Sequence, residues 1–429
     1  MEKKSLIDQF LESRIFHWSK KGSIAILDQV LFNGVHFLSA ILLARWLASD
    51  EYGIFAVSYS IFLFLAALHM AILVEPMLVF GSGKYKNFFK EYLGVLFKWN
   101  FLLTISVSVI LMIISLTIGF LHSRELCFSL LGISIATPII LLLWLLRRAF
   151  YVNLAPFWST VGGGIYAVIL LALVFLLHIS HYLSPFTYFM SMGLSSLFVS
   201  LFFILLLRPN FNLRTFDSSV SSIINDHVYY GKWAIGTSML GWAINNVYFI
   251  MLPFFIDFSK IGSLRALINL SSPAIQVNSA LSFLLLPALS KYYSEDLFKM
   301  KQLIKLAFVF FVVLALCYCL FLLCFKVYIV KILYNNRYNE IIWLLPLVAF
   351  LPLWSGIANV LENILRALKK PNTVFWSYSI SVTFLMAATI FSAQHYGIHG
   401  VLYCYNISYL LAVVVMFIFL KKIFSARRF

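Results

Sequence analysis

Polar and charged side chains recur inside apolar stretches of this sequence, at spacings that place them on one face of a helix. Such side chains are costly in an apolar span unless they face a cavity or a partner. At about 100° per residue, three faces are formed, by Asp28, Gln29, Asn33, His36 and Ser39, by Arg265, Asn269, Ser272, Gln276 and Ser279, and by Ser355, Asn359, Glu362, Asn363 and Arg366. The chemistry they support is hydrogen bonding and charge pairing, with neighbouring helices or with a polar solute.

These faces have two interpretations. Hydrogen bonds between helices hold many transmembrane bundles together, and this explains one polar face alone. Three long faces favour a polar lumen instead. A fourth, shorter face is formed by Thr237, Ser238, Asn245 and Asn246. Within the third face, Glu362 and Arg366 are four residues apart, so they can also pair with each other.

Further ionisable residues are candidates for function, and all of them except His36 lie outside these faces. Glu75 ends the second apolar stretch, either as a boundary carboxylate or as part of a gate. His36 and His69 are candidate proton sites because histidine titrates near neutral pH, although a packed, hydrogen-bonded histidine is the commoner case. Arg147 and Arg148 are interpreted as anchors at the inner membrane surface.

The composition is that of a membrane protein. Hydrophobic residues make up 62% of the 429 residues, charged residues make up 11%, and the mean hydropathy is +0.95. Ordinary soluble domains are about 45–50% apolar and about 25% charged, so a water-soluble fold cannot bury this sequence. The apolar runs are continuous rather than alternating, which argues against a transmembrane β-barrel.

Twelve apolar stretches each approach the roughly 20 residues that a spanning helix needs. They cover 23–46, 53–75, 93–121, 126–146, 157–178, 186–207, 232–256, 262–289, 303–325, 341–365, 373–393 and 398–420, with kink candidates at Pro138, Pro273 and Pro352. With the N-terminus inside, about three quarters of the 32 Lys and Arg residues fall on the inside. This excess predicts that both termini are cytoplasmic, and the net charge of +16 needs no nucleic-acid partner.

The chain also repeats itself. The segments LASDEYG at 47–53 and IDFSKIG at 256–262 each end in a glycine that opens the next stretch, and the same offset relates Lys90 to Lys299. Six spans per half predict parallel repeats. The expected fold is all-α, with twelve transmembrane helices in two pseudo-symmetric six-helix bundles. The predicted parts are a cytoplasmic segment 1–21, a bundle 22–208, a cytoplasmic linker 209–230, a bundle 231–420 and a basic cytoplasmic tail 421–429.

The motifs of common enzymes are absent from the sequence. It contains no P-loop, no His-Glu-x-x-His zinc helix and no Gly-x-Ser-x-Gly elbow. Its five cysteines form no Cys-x-x-Cys pair. Every loop is short, and 16 acidic residues leave little room for a catalytic site. We therefore expect a protein that is not an enzyme and that holds no cofactor and no metal.

The chain resembles the polysaccharide-transporter family of lipid-linked oligosaccharide flippases, most closely its O-antigen branch. This family belongs to the multidrug/oligosaccharidyl-lipid/polysaccharide exporter superfamily. The resemblance covers nearly the whole chain. Besides the twelve spans, the residues that carry it are Asp28, Gln29 and Asn33, the segment LARWLASDEYGIF at 43–55, and ILY at 332–334 followed by Arg337 and Tyr338.

The resemblance implies a flippase that works by alternating access. Its cargo would be an undecaprenyl-pyrophosphate-linked oligosaccharide, an O-antigen or other surface polysaccharide unit. The cargo would move from the inner to the outer leaflet of the bacterial cytoplasmic membrane, driven by a proton or sodium gradient. Implied partners are membrane lipids and the polysaccharide polymerase and chain-length machinery.

The resemblance also suggests roles for the polar residues. Candidates for binding the phosphate or the sugars are Arg265, Arg366, Asn269, Gln276, Asn359, Asn363, Asn33 and Asn245. The arginines come first among these because a guanidinium binds phosphate through two hydrogen bonds. Candidates for ion coupling are Asp28, Glu362, Glu75 and His36.

Several alternatives remain. A multidrug/cation antiporter of the same superfamily shares the twelve-helix plan, but it would favour a carboxylate-centred pocket, which suits Asp28 and not Arg265. A lipid II flippase usually has fourteen spans. Another lipid or polysaccharide carrier is a further option. A membrane glycosyltransferase or polymerase would need exposed catalytic carboxylates.

Overall fold

The computed structural model describes residues 6–121, 123–153, 155–211 and 220–426. Parts of the predicted N-terminal segment (1–5), linker (212–219) and tail (427–429) lie outside these residues. The described chain is helical and contains no strand. Its α-helices are α1 Leu6–Trp46, α2 Ser49–His69, α3 Glu75–Ser82, α4 Phe89–Leu121, α5 Arg124–Val152, α6 Pro156–Ile179, α7 Pro185–Leu207, α8 Val220–Met251, α9 Phe258–Asn269, α10 Ser272–Glu295, α11 Leu297–Cys324, α12 Lys326–Tyr334, α13 Leu345–Ala349, α14 Leu351–Ala367 and α15 Pro371–Ala426.

Ten helical segments of the described chain are long and apolar enough to cross a membrane. The segment formed by α15 contains two helices that meet at Gly397, whose φ of 59° interrupts the helix. The predicted eighth stretch, 262–289, is not among the ten, and it is divided between α9 and α10. The ten segments and this divided stretch thus account for the twelve predicted spans, and the protein is an all-α integral membrane protein. The location of its termini stays a prediction.

Prolines set two of the helix breaks. A proline has no backbone N–H to donate to the residue four positions earlier, so a helix tends to end before it. Pro273 lies in the first turn of α10 and Pro352 in the first turn of α14. Pro138, in contrast, lies inside the continuous helix α5. The kink predicted at Pro273 is confirmed: the eighth stretch is interrupted at 270–271, where both residues keep right-handed helical backbone angles.

The helices form two compact units. The first comprises Met1–Ser39 and Leu65–Ile235, and the second comprises Ala40–Phe64 and Gly236–Phe429. In the first unit α5 packs against α4 and α7, and α7 also packs against α6. In the second unit α14 packs against α10, α11 and α15. The predicted bundle boundaries and the internal repeat stay predictions.

The two glycines of the predicted repeat meet inside the second unit. A Cβ atom on Gly262 would lie 2.6 Å from the Ser49 carbonyl oxygen and 2.9 Å from the Gly53 nitrogen. A Cβ atom on Gly53 would overlap the carbonyl oxygen of Phe258. Since neither position has space for a side chain, this glycine pair permits the close approach of α2 and α9.

A π-helical segment, Met70–Val74, separates α2 from α3 in the first unit. Pro76 cannot donate to the Ile72 carbonyl oxygen, four residues earlier. The Nδ1 atom of His227 lies 2.9 Å from this oxygen, at hydrogen-bonding distance. The Nε2 atom of His227 lies 2.6 Å from the Tyr92 hydroxyl. Both ring nitrogens therefore have a partner, and α8 is fixed to the interruption between α2 and α3.

A second polar contact lies beside this one, outside the membrane-spanning segments. The Lys84 amine and the Tyr85 hydroxyl both donate to Asp226 Oδ2, at 2.7 and 2.5 Å. Partial burial raises the pKa of Asp226, but these two hydrogen bonds outweigh burial and hold it below its usual value. The same hydrogen bond to Asp226 raises the pKa of Lys84.

Candidate functional site

The first unit contains a buried carboxylate that is fully hydrogen-bonded. Asp28 is 0% exposed, and it forms an ion pair with Arg147, whose side chain is 5% exposed. Arg147 Nη2 lies 2.9 Å from Asp28 Oδ2, and Arg147 Nε lies 3.2 Å from Oδ1. The hydroxyls of Tyr151 and Ser159 also donate to Oδ2, at 2.5 and 3.1 Å. Two oxygens with four donors form a site that stabilises the ionised carboxylate.

The position of Arg147 corrects its interpretation as a surface anchor. Its guanidinium lies 3.8 Å from the ring centroid of Phe32, which is one helical turn from Asp28 on α1. Helix α5 places Arg147 and Tyr151, four residues apart, on the face that meets Asp28. Arg148, the next residue, is half-buried and stacks over Tyr151 instead. The paired arginine is therefore part of the polar site.

His36 lies next to this ion-pair cluster. Its ring packs edge-to-face on Phe32, with centroids 5.0 Å apart, and also contacts Tyr166. Both ring nitrogens are buried, and neither makes a hydrogen bond within the described part of the chain. His69 differs, because its Nε2 atom lies 2.7 Å from Asn100 Oδ1. His69 is thus the packed, hydrogen-bonded histidine that is commoner in proteins, while His36 remains a candidate proton site.

Two further residues that the sequence predicted for the site, Asn33 and Glu75, also belong to the first unit. Asn33 is half-buried on α1, five residues after Asp28. Glu75 opens α3, directly after the π-helical segment, and is also half-buried. Burial and the nearby Glu75 carboxylate raise the pKa of Tyr230, which lies outside the spans. Glu75 thus faces the N-terminal part of α8.

The second unit contains a polar cavity of about 240 Å³. Four helices supply its walls: α8, α10, α14 and α15. The side chains that line it with polar atoms or aromatic rings are Thr237, Asn245, Ser279, Ser355, Asn359, Glu362, Arg366, Phe375, Tyr378 and Tyr409. Four of the predicted site residues, Asn245, Asn359, Glu362 and Arg366, therefore meet in one place.

The charges of this cavity cancel each other. Glu362 Oε1 lies 2.5 Å from Arg366 Nη2, and Glu362 Oε2 accepts a hydrogen bond from the Tyr378 hydroxyl at 3.0 Å. The predicted pairing of Glu362 with Arg366 is confirmed. The pair leaves the cavity polar but without net charge.

Asparagines have different roles around the cavity. Asn245 Oδ1 accepts hydrogen bonds from Tyr405 and Tyr409, at 3.0 and 2.9 Å. Asn363 is buried and donates to the Asn359 backbone oxygen. The Asn359 side chain faces the cavity and makes no hydrogen bond to the residues that the structure describes. Asn359 thus keeps its hydrogen-bonding capacity for a ligand.

Arg265 is a cation without a carboxylate partner in the described chain. Its guanidinium lies between two aromatic rings, 5.5 Å from the centroid of Tyr59 and 5.0 Å from that of Phe249. Its Nε atom is buried and makes no hydrogen bond there. Phe249 lies four residues after Asn245 on α8, so the guanidinium lies about one helical turn along α8 from the cavity wall.

The remaining residues of the predicted second face are divided by the helix break. Asn269 ends α9, is buried, and donates from Nδ2 to the Tyr52 hydroxyl at 2.8 Å. Gln276 lies on α10 and is exposed. The predicted face is thus divided between α9 and α10, and of its α10 residues only Ser279 lines the cavity.

Sequence reasoning missed three groups of site residues. Arg147, Tyr151 and Ser159 complete the Asp28 cluster, Tyr59 and Phe249 flank Arg265, and Phe375, Tyr378 and Tyr409 line the cavity. A signal was present for the first group, because Arg147 and Tyr151 share a helix face. The aromatic residues carried no such signal in the sequence, because aromatic side chains are abundant in the spans.

The fold is shared with known transporters. No protein-family model matches the chain, and no curated protein sequence matches it. An inward-facing multidrug resistance MATE family transporter of the MOP superfamily is similar in structure, with a TM-score of 0.75 and 13% identity over 94% of this chain and 98% of that one. The lipid II flippase MurJ in an inward closed conformation has a TM-score of 0.73 and 15% identity over 93% of this chain and 87% of that one.

An outward-facing MATE family transporter of the MOP superfamily also matches, with a TM-score of 0.65 and 12% identity over 95% of this chain and 96% of that one. These similar structures are transporters. At these identities the likeness shows that this chain shares the fold of these proteins.

Proposed function

We propose that this protein is a flippase for an undecaprenyl-pyrophosphate-linked oligosaccharide in the bacterial cytoplasmic membrane. It moves the lipid-linked glycan from the inner to the outer leaflet by alternating access. The proposal rests on the fold shared with a lipid II flippase and with multidrug transporters, and on the sequence resemblance. The observation that carries it is that Arg265 has no carboxylate partner in the described part of the chain.

Arg265 is half-buried and has no carboxylate partner among the described residues. A charged side chain within a membrane-spanning unit is costly unless it is paired. The two rings that flank the Arg265 guanidinium restrain it but do not neutralise it. A diphosphate would supply oxygens for bidentate hydrogen bonds to its free N–H groups. This favours an anionic headgroup as cargo.

The competing function is a multidrug antiporter, which the structural likeness supports equally well at the level of the fold. A pocket for cationic drugs would need an unpaired carboxylate. The two carboxylates of the predicted polar faces, Asp28 and Glu362, are each paired with an arginine. Since their charges are already neutralised, we favour the flippase.

For ion coupling we propose Asp28. Proton uptake by this carboxylate would remove its attraction to Arg147 and would release the hydroxyls of Tyr151 and Ser159. Such a change gives a proton gradient a direct effect on the packing of α1, α5 and α6. Glu362, which is paired with Arg366 in the cavity, is assigned instead to the binding of cargo.

Deletion of the gene in its source organism tests the proposal. We expect polyprenyl-pyrophosphate-linked glycan to accumulate on the inner leaflet and the surface polysaccharide to be lost, and mass spectrometry of the lipid would then identify the glycan. Normal surface polysaccharide with no accumulated lipid, in a strain that lacks other carriers of this fold, would contradict the proposal. Increased drug susceptibility in that strain would favour the antiporter.

A further inference from the structure

The cavity of the second unit is polar, uncharged as a whole and small. We propose that it binds one sugar ring of the glycan cargo, through the free amide of Asn359 and the free N–H groups of Arg366. This inference rests on the proposed function, because it assigns a subsite to the headgroup of the same lipid. It separates recognition of the sugar from recognition of the diphosphate, which we place at Arg265.

Charge selects the class of ligand. The Glu362 carboxylate is neutralised by Arg366 at 2.5 Å, so the cavity offers no unpaired charge to a cationic drug or to a phosphate. Its walls still present amide, hydroxyl, carboxylate and guanidinium groups. A neutral polyol is the solute that satisfies such walls without bringing a charge of its own.

The size of the cavity favours a small ligand, such as one sugar ring. Pockets for drug-sized ligands have volumes of about 300–1,000 Å³. The cavity, at about 240 Å³, is smaller than this. This volume favours a single sugar ring over a whole oligosaccharide as its occupant.

Free hydrogen-bonding groups are available to the hydroxyls of a sugar. Each hydroxyl both donates and accepts, and an amide does the same. The Asn359 amide has no partner within the described chain, and one nitrogen of Arg366 is held by Glu362 while its side chain remains 43% exposed. The planar guanidinium directs its other N–H groups in fixed directions. Together these two residues can contact adjacent hydroxyls.

Aromatic rings supply the apolar part of the site. Phe375, Tyr378 and Tyr409 line the cavity, and the hydroxyls of both tyrosines are held by Glu362 and Asn245. Rings that are fixed in this way lose little entropy when they pack against the C–H face of a sugar. The cavity is therefore organised for its ligand in advance.

The position of the cavity relative to Arg265 fits the chemistry of the cargo. Asn245 lines the cavity, and Phe249, one turn further along α8, packs under the Arg265 guanidinium. In a lipid-linked glycan the first sugar is attached directly to the diphosphate. A diphosphate at Arg265 would thus bring the first sugar towards the cavity.

A binding experiment tests this assignment. The purified protein in lipid nanodiscs is titrated with undecaprenyl diphosphate, and with the same lipid carrying one glucose, galactose, N-acetylglucosamine or N-acetylgalactosamine. We expect at least one sugar to strengthen binding about tenfold, the effect of one to two net hydrogen bonds. Asn359→Ala should remove this gain and leave the Kd of undecaprenyl diphosphate unchanged, while Arg265→Ala should weaken the binding of every probe.

Asn406→Ala is the matched control. Asn406 is another asparagine of the second unit, but its amide donates to the carbonyl oxygens of Leu347 and Leu402 and does not line the cavity. The Asn406→Ala variant should retain the increase in affinity that the sugar provides. If no sugar strengthens binding, or if Asn359→Ala weakens all probes equally, the sugar subsite is wrong and the proposed function stands. If the wild-type protein binds none of the probes, the proposed function fails and the subsite fails with it.

Discussion

Asp28 and Arg147 form a buried ion pair in the first unit, with Arg147 Nη2 2.9 Å from Asp28 Oδ2. Asp28 is fully buried and the Arg147 side chain is 5% exposed, so each residue supplies the opposite charge that the other needs. The hydroxyls of Tyr151 and Ser159 complete the hydrogen bonds of the carboxylate. Each charge of such a pair depends on the other, because the loss of one leaves the other buried and unpaired.

Asp28→Asn should destabilise the protein and uncouple transport from the ion gradient. The change leaves Arg147 buried without a counter-charge, at a cost of about 3–5 kcal/mol. Thermal unfolding in detergent measures the loss, and the double variant Asp28→Asn with Arg147→Gln should recover part of it. Asp257→Asn is the control, because Asp257 pairs with Lys260 at the surface, is 81% exposed, and should have little effect. Equal stability of Asp28→Asn and the wild type would mean that the buried pair carries no charge.

Gly53→Ala should disrupt the second unit. Its Cβ atom would overlap the Phe258 carbonyl oxygen, and backbone atoms cannot move aside as a flexible side chain can. We expect a loss of at least about 1–3 kcal/mol in the free energy of unfolding. Gly164→Ala is the matched control, since nothing lies within 4 Å of the Cβ position there. It should be neutral or slightly stabilising, because alanine favours a helix. Similar melting temperatures for the two variants would contradict the close approach of α2 and α9.

The contact between Asp226 and Lys84 predicts a pH dependence of stability. Because the pKa of the Asp226 carboxyl is lowered in the folded protein, the contact stabilises above about pH 4, the ordinary carboxyl pKa, and this stabilisation is lost as the pH falls through the lowered pKa. Because Lys84 is half-exposed, we expect the contact to contribute at most about 1 kcal/mol to the free energy of unfolding.

Asp226→Asn should therefore lower the melting temperature slightly at pH 7, and the difference from the wild type should shrink below about pH 4. A difference that is constant across this range would show that the charge of Asp226 does not contribute.

The topology can be tested with single cysteines in a variant that lacks the five native ones. The excess of Lys and Arg predicts that Lys86 and Lys370 are cytoplasmic and that Asn336 is outside. In intact cells an impermeant thiol reagent should thus label Asn336→Cys and leave Lys86→Cys and Lys370→Cys unlabelled. Labelling of the latter two, with Asn336→Cys protected, would reverse the orientation.

Local features of this chain could be predicted from its sequence. The long apolar stretches identified the spanning helices because a helix in lipid must satisfy its backbone internally and present apolar side chains. The pairing of Glu362 with Arg366 was also accessible, since residues four apart on a helix are neighbours. The interruption between α9 and α10 was also accessible, because Pro273 marked it as a kink.

Features that depend on distant residues could not be predicted. Arg147 looked like a surface anchor because it stands in a basic pair at the end of a span, and only the packing of α5 against α1 turns it towards Asp28. The rings that flank Arg265 come from α2 and α8 and carry no pattern of their own. Sequence spacing fixes faces within one helix, whereas partners on other helices depend on tertiary packing.

Movement of a lipid-linked sugar between leaflets tests the central claim most directly. The purified protein is reconstituted into liposomes with radiolabelled undecaprenyl-diphosphate-linked N-acetylglucosamine, and the fraction that reaches the outer leaflet is followed over time. We expect the wild type to move the lipid faster than protein-free liposomes, and Arg265→Ala to be slower by about tenfold or more, as befits the loss of charged hydrogen bonds. Lys98→Ala, which removes an exposed lysine, should match the wild type. Transport by Arg265→Ala at the wild-type rate, or no transport by the wild type, would contradict the account.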